Sequence, residues 1–214
     1  FSEIGSGLIA APSANRFGQV STTLSKDVEN SLGTFLSSED MIVSAKLCAF
    51  GLESTIVDCT GIVPKILRLG AISRSLIEDV LKIKINYVRE IELDKKISGS
   101  FKTHYSPITP LFVLNKLDVR SFFKNQILRV KKPKFFFWGF SFLTTNYSNI
   151  DQQIAPSDPL EYARNMYALL NKIDGQNYEK ILFESPPQTK EWEAIIDRLN
   201  KASFKFQRSN FIKF

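Results

Sequence analysis

Apolar and polar positions change their rhythm along the chain, and that change divides it. Near the start, "GSGLIAA" is a glycine-led apolar segment that reads as a buried strand, and "APSANRFGQVSTT" (11–23) is a loop of small polar residues. Pro12 stops the strand, Ser13 and Asn15 offer a hydroxyl and an amide, and Gly18 allows a tight bend. "STTLSKDVENSLG" then opens on hydroxyls and closes on glycine, the signature of a short helix. Met41 to Val43 and Thr55 to Asp58 read as strands separated by a turn. Ile66 and Leu67 give a further strand, followed by a glycine bend. Ser73 then caps a helix whose apolar residues Leu76, Ile77, Val80 and Leu81 recur at helical spacing. These elements predict a mixed α/β layer.

From Asn86 to Pro110 no period is sustained, and the mixture of charge, glycine, serine and proline reads as a linker. A new alternation begins beyond it. "LFVL" and "FFFWGF" are apolar runs of strand length, and Asp158-Pro159 opens a helix with a capping carboxylate and a proline in its first turn. Leu160, Ala163, Tyr167, Leu170 and Ile173 form its apolar stripe, and Gly175 ends it. "KILFES" is the next strand and "EWEAIIDRLNKA" the next helix, the alternation expected over a parallel sheet. No GxGxxG or P-loop follows any strand, so this second unit is expected to be Rossmann-like without the usual nucleotide fingerprint.

Composition changes this picture little. The 214 residues are 43% hydrophobic and 23% charged, which is the ordinary globular class and enough for one large core or two modest ones. No apolar run approaches membrane-spanning length, no secretory leader pattern is present, and a cytoplasmic location is the expectation. Cys48 and Cys59 fit neither a CxxC redox pair nor a zinc knuckle, and they are expected to be buried free thiols. The net charge of +6 is uneven. Residues 1–108 carry 12 basic and 12 acidic side chains, whereas residues 109–214 carry 16 basic and 10 acidic. Much of the excess lies in Lys116 to Lys134, interleaved with Phe122, Phe123 and Ile127. Such a run fits a surface that tracks a phosphate backbone, but also the more ordinary solvated helix face followed by a lysine-rich turn.

Four segments carry the chemistry: "APSANRFGQVS", "GLESTIVD", "ILRLGAIS" and "HYSP". In this order the chain resembles the threonylcarbamoyl-AMP synthases, the YrdC-like enzymes, in their long form with an added C-terminal α/β domain. "ARNMYALLNKID" and "DRLNKAS" resemble helices of that added domain. The resemblance implies an α/β fold: a partial YrdC-like mixed domain over 1–88, a linker or lid over 89–108, and a smaller Rossmann-like domain over 109–214. It also implies that the glycine- and threonine-rich start of the family, with its KxR motif, is not in this sequence. The chain is therefore expected to be a C-terminal portion, inactive on its own and poorly stable in its first unit.

The implied reaction joins L-threonine, bicarbonate and ATP into threonylcarbamoyl-AMP and releases diphosphate, the first step of the t6A modification of tRNA. Such a site must hold two anionic partners and neutralise developing charge, and it needs no covalent nucleophile. The resemblance puts Ser13, Asn15, Ser21, Arg68 and Tyr105 at ATP, and Ala11 and Ser54 at threonine. His104 and Tyr105 fall in a segment folding over the nucleotide, and no separate catalytic residue or protein metal ligand is implied. Mg2+ would come with ATP, held mainly by its phosphates and water. Implied partners are the downstream tRNA-modifying transferase machinery and RNA at the basic second half, with no membrane. Glu53 and Asp58 read equally as strand caps. Three positions depart from the family pattern: Ser44-Ala45-Lys46 in place of Asp-Gly-Gly, Leu69 in place of a proline, and "SGSFKTHYSP" in place of a PGM-led linker. An RNA-binding module without catalysis, or a degenerate remnant of the enzyme, are the alternative readings.

Overall fold

The computed structural model describes residues 5, 11, 13–44, 48–88, 105–126, 133–141, 143 and 147–204. Residues 6–10 of the expected strand at "GSGLIAA", residues 89–104 of the expected linker or lid, and with them the site residue His104 lie outside them.

The first sheet has the order β1-β2-β3. β1 (Ile56–Asp58) pairs antiparallel with β2 (Lys65–Arg68), and β2 pairs parallel with β3 (Asn86–Tyr87). Helix α1 (Ser25–Leu32) precedes the sheet, and α2 (Arg74–Leu81) makes the crossover from β2 to β3. Ser73 caps α2 as expected, its hydroxyl accepting from the Leu76 backbone N–H. The apolar spacing on α2 is less informative, because Leu76, Val80 and Leu81 are exposed. Among the described residues the core under this sheet is small: Ile66, Leu69 and Ile85, with Val57, Ile77, Tyr87 and Ala194 against it. Met41 to Val43 form no strand; Met41 and Val43 face solvent with no ladder partner, so their apolar spacing has nothing to pair with. Cys48 and Cys59 are exposed free thiols, not buried ones. They sit beside short turns where no core is available to cover them.

The second sheet is parallel throughout, in the order β4-β7-β5-β6, from strands β4 (Leu111–Leu114), β5 (Phe135–Gly139), β6 (Ile150–Ile154) and β7 (Lys180–Glu184). Its two faces explain the run "FFFWG". Phe135 and Phe137 pack with Val119, Phe122 and Phe123 of α3 (Lys116–Gln126), whereas Phe136 and Trp138 pack with α4 (Pro159–Ile173) and α5 (Glu193–Ala202). A strand covered on both faces reads as continuously apolar rather than alternating. The result is a three-layer α/β/α unit. The part of the basic stretch over Lys116–Gln126 is helical, and its inner side is a core face, with Lys116, Arg120 and Lys124 exposed on the outside. In α4, Asp158 accepts from the Glu161 N–H and Pro159 fills the first turn, as the sequence predicts. Leu160 departs from the predicted stripe and is exposed, while Ala163, Tyr167, Leu170 and Ile173 are buried.

The larger core does not stop at the second sheet. Val20, from the loop before α1, and Tyr105 belong to the same buried cluster as α4 and α5.

Candidate functional site

The site is built where the backbone strap 51–55 crosses α4 and meets the end of β2. Two glycines make the approach possible. A Cβ on Gly51 would stand 2.0 Å from the Ala163 carbonyl oxygen, and one on Gly70 would stand 2.4 Å from Glu53 O, Ser54 C and Thr55 N. Only glycine lets backbones come this close. The Ala71 N–H closes the second approach by donating to Glu53 O at 2.9 Å. On the other side, the Arg164 side chain donates to the Ala49 carbonyl.

Glu53 is the centre of this arrangement. Its Oε1 accepts from the Ser21 hydroxyl at 2.6 Å, and its Oε2 accepts from Arg198 Nε at 2.9 Å, with the Tyr167 hydroxyl at 3.5 Å. Arg198 is fully buried, and its Nη2 donates to the Leu69 carbonyl at 2.7 Å. Its remaining nitrogen pairs with Asp197, whose carboxylate also takes Lys201 at 2.9 Å. The Arg198 guanidinium lies 5.0 Å from the centre of the Tyr105 ring, which in turn lies 5.9 Å from the Tyr167 ring. Tyr105 is held in the left-handed region at φ 66°, a backbone conformation that costs a bulky residue of order 1–3 kcal/mol and persists only where the surroundings fix it. The Ser106 N–H, bonded to Gly18 O at 3.0 Å, ties the same turn to the 11–23 loop.

Electrostatics follow from this geometry. Burial pushes the Glu53 carboxyl up, but the Arg198 charge and the hydrogen bonds from Ser21 and Arg198 outweigh it and hold the carboxyl below its ordinary value. Arg198 stays charged: burial works against its charge, and the neighbouring Glu53 and Asp197 carboxylates more than compensate. Burial and the Glu53 charge raise the hydroxyls of Tyr105 and Tyr167, so both remain neutral donors.

Ser54 and Arg68 sit on the outer side of the strap. Arg68 is buried and donates from Nε and Nη2 to the Ser54 carbonyl at 3.1 and 2.8 Å, and from Nη2 to the Ser54 hydroxyl at 3.2 Å. Ser54 itself is exposed. Thus the structure gathers Ser21, Ser54, Arg68 and Tyr105 around one strap. Asn15 belongs to the adjoining loop, where its Nδ2 donates to Arg16 O and Gln19 O, and its Oδ1 is buried with no partner among the described residues. Ala11 and Ser13 lie exposed on that loop. Asp58 is a turn former, accepting from the Thr60 N–H and hydroxyl.

Sequence reasoning missed Arg198 and Tyr167, which lie 145 and 114 residues from Glu53. One signal was present. Arg198 falls on the apolar stripe Ile195, Leu199 and Ala202 of α5, where a charge needs a buried partner.

Comparison with known proteins agrees with this architecture. The family model described as "Threonylcarbamoyl-AMP synthase, C-terminal domain" matches residues 72–203, and the one described as "Telomere recombination" matches residues 1–70. The threonylcarbamoyl-AMP synthase of Bacillus subtilis (strain 168) is 37% identical over 111 residues, covering 50% of this chain and 31% of the relative. That of Pyrococcus abyssi is 27% identical over 208 residues, covering 94% of this chain and 59% of the relative. The crystal structure of P. abyssi Sua5 complexed with L-threonine superposes with a TM-score of 0.70 at 24% identity, over 91% of this chain and 57% of that one, a likeness of fold. The chain spans about a third to three fifths of the length of these relatives. It belongs to the threonylcarbamoyl-AMP synthase family.

Proposed function

We propose that this chain serves as an L-threonylcarbamoyladenylate synthase, using L-threonine, bicarbonate and ATP to make threonylcarbamoyl-AMP and diphosphate for t6A modification of tRNA in the cytoplasm. The observation that carries the proposal is the strap itself: an exposed Ser54 hydroxyl beside the Arg68 guanidinium, both held on a backbone that Glu53 and Arg198 anchor from behind. In the reaction an oxygen of the threonine carbamate attacks the α-phosphorus of ATP, the P–O bond to diphosphate breaks, and negative charge accumulates on the leaving group. Donors fixed in place before the reaction stabilise that charge without reorganising.

In this reading Ser54 and Ala11 contact threonine, while Ser13, Asn15, Ser21 and Arg68 face ATP. Tyr105 closes the site with His104 as part of a lid over the nucleotide. Among the described residues no group of three or more His, Cys, Asp and Glu side chains is placed to hold a metal ion. Magnesium would come with ATP, held mainly by its phosphates and water. The basic outer face of α3, with Lys116, Arg120 and Lys124, supports an RNA contact, which a strong decline of tRNA binding with added salt would reveal. Among the described residues no helix is long and apolar enough to cross a membrane.

The test of the reaction is diphosphate release from ATP with threonine and bicarbonate each omitted in turn. Release that needs all three substrates is the expected result. Release indifferent to threonine would overturn the proposal.

A further inference from the structure

We propose that Arg198 is a positioning residue through which α5 of the second sheet holds the strap that presents Ser54 and Arg68. Three segments far apart in sequence converge on its guanidinium: the strap through Glu53, the end of β2 through the Leu69 carbonyl, and the 105–109 turn through the Tyr105 ring. The strap is also held by the Ala71 N–H on Glu53 O and by Arg68 on Ser54, but the anchors of its Glu53 carboxylate come from elsewhere. Glu53 takes a second short bond from Ser21, but Ser21 is itself held from α4, where Asn171 Nδ2 donates to the Ser21 carbonyl at 2.9 Å. Both anchors of the Glu53 carboxylate therefore lead back to helices of the second sheet.

A planar fork suits this junction, because Nε and Nη2 must reach two acceptors on different segments at once, 2.9 and 2.7 Å away. An ammonium can satisfy one of them. Removal of the guanidinium leaves the Glu53 carboxylate, the Leu69 carbonyl and a strained Tyr105 without their common partner, so the strap and the turn loosen together. The link to ligand binding rests on the function proposed above; the link between the segments does not.

Hydrogen exchange measured by mass spectrometry on the whole chain, with Arg198→Met and Arg198→Lys beside the wild type, separates the two. Arg198→Met is expected to raise exchange at least about tenfold in peptides spanning 50–55 and 105–109, with β5 and β7 peptides unchanged. The same variant is expected to raise the threonine dissociation constant about tenfold or more, and Arg198→Lys is expected to recover part of both effects. Unchanged exchange at the strap in either folded variant overturns the proposal. If Arg198→Met loses protection in β5 as well, the lysine variant decides: looser strap and turn with an intact β5 supports the proposal, and an unaltered strap refutes it. A wild type that binds no threonine, with a strap that still loosens in the variant, rejects the functional reading and keeps the junction. A looser strap with unaltered threonine affinity rejects the positioning role.

Discussion

Glu53 and Arg198 form a nearly buried ion pair, and its sign with pH is fixed by the geometry. The Glu53 carboxyl is held below its ordinary value of 4.5 in the folded chain. Its contribution to stability is therefore complete above the unfolded value and is lost as pH falls through the lower folded one. Glu53→Gln should flatten the acid limb of the stability profile. At neutral pH it should destabilise the chain by less than the about 3–5 kcal/mol of an uncompensated buried charge, because Arg198 keeps Asp197 as a partner. Chemical denaturation at a series of pH values checks both. Arg68 poses a different question, since it already holds the Ser54 carbonyl and hydroxyl. Loss of its charge-assisted bonds is worth about 1.5–3 kcal/mol. Arg68→Ala should therefore weaken ATP binding roughly ten- to hundredfold and weaken threonine binding as well. Separate titrations with each ligand check this, and unchanged ATP affinity with weakened threonine binding would reassign Arg68 to the strap alone. At this scale the sequence singled out Ser54 and Arg68 from two local motifs, and the structure puts the two in contact. The sequence was silent on their supports, because Tyr167 and Arg198 reach Glu53 only through the packing of helices more than a hundred residues away.

Among the elements, legibility followed burial. β5 was readable because both its faces are covered, so every residue had to be apolar or small. β6, "IDQQI", was not, because it lies at the sheet edge with only Ile150 buried, and its pairing comes from β5 rather than from its own pattern. Met41 to Val43 failed in the opposite way: apolar residues of strand character that find no ladder. The helix termini behaved as their residues dictate. Asp158→Ala should cost about 1 kcal/mol through the lost cap on α4, lowering the melting temperature by a few degrees without touching the strap. Gly70→Ala should destabilise the chain and disturb the strap as well. Its Cβ would meet strap backbone at 2.4 Å, and overpacking of this kind costs typically about 1–3 kcal/mol. Calorimetry beside threonine titration distinguishes the two variants, since only Gly70→Ala should impair binding.

Across the whole molecule the two sheets are unequally supported. The second carries aromatic and aliphatic side chains packed on both faces, whereas the first rests on Ile66, Leu69 and Ile85 and leaves Met41, Ile62 and Val80 at least 80% exposed. Backbone amides of β2 should accordingly exchange with solvent well before those of β5 and β7. Function in this account depends on coupling between these unequal parts: a well-packed second unit lends its helices to a strap that the smaller core could not fix alone. In the proposed function the strap presents Ser54 to threonine, and calorimetric titration of L-threonine into the wild type and Ser54→Ala tests that most directly. The account predicts saturable binding at a single site, weakened about tenfold by loss of the hydroxyl. Absence of saturable threonine binding, or equal affinity in the two proteins, would contradict it.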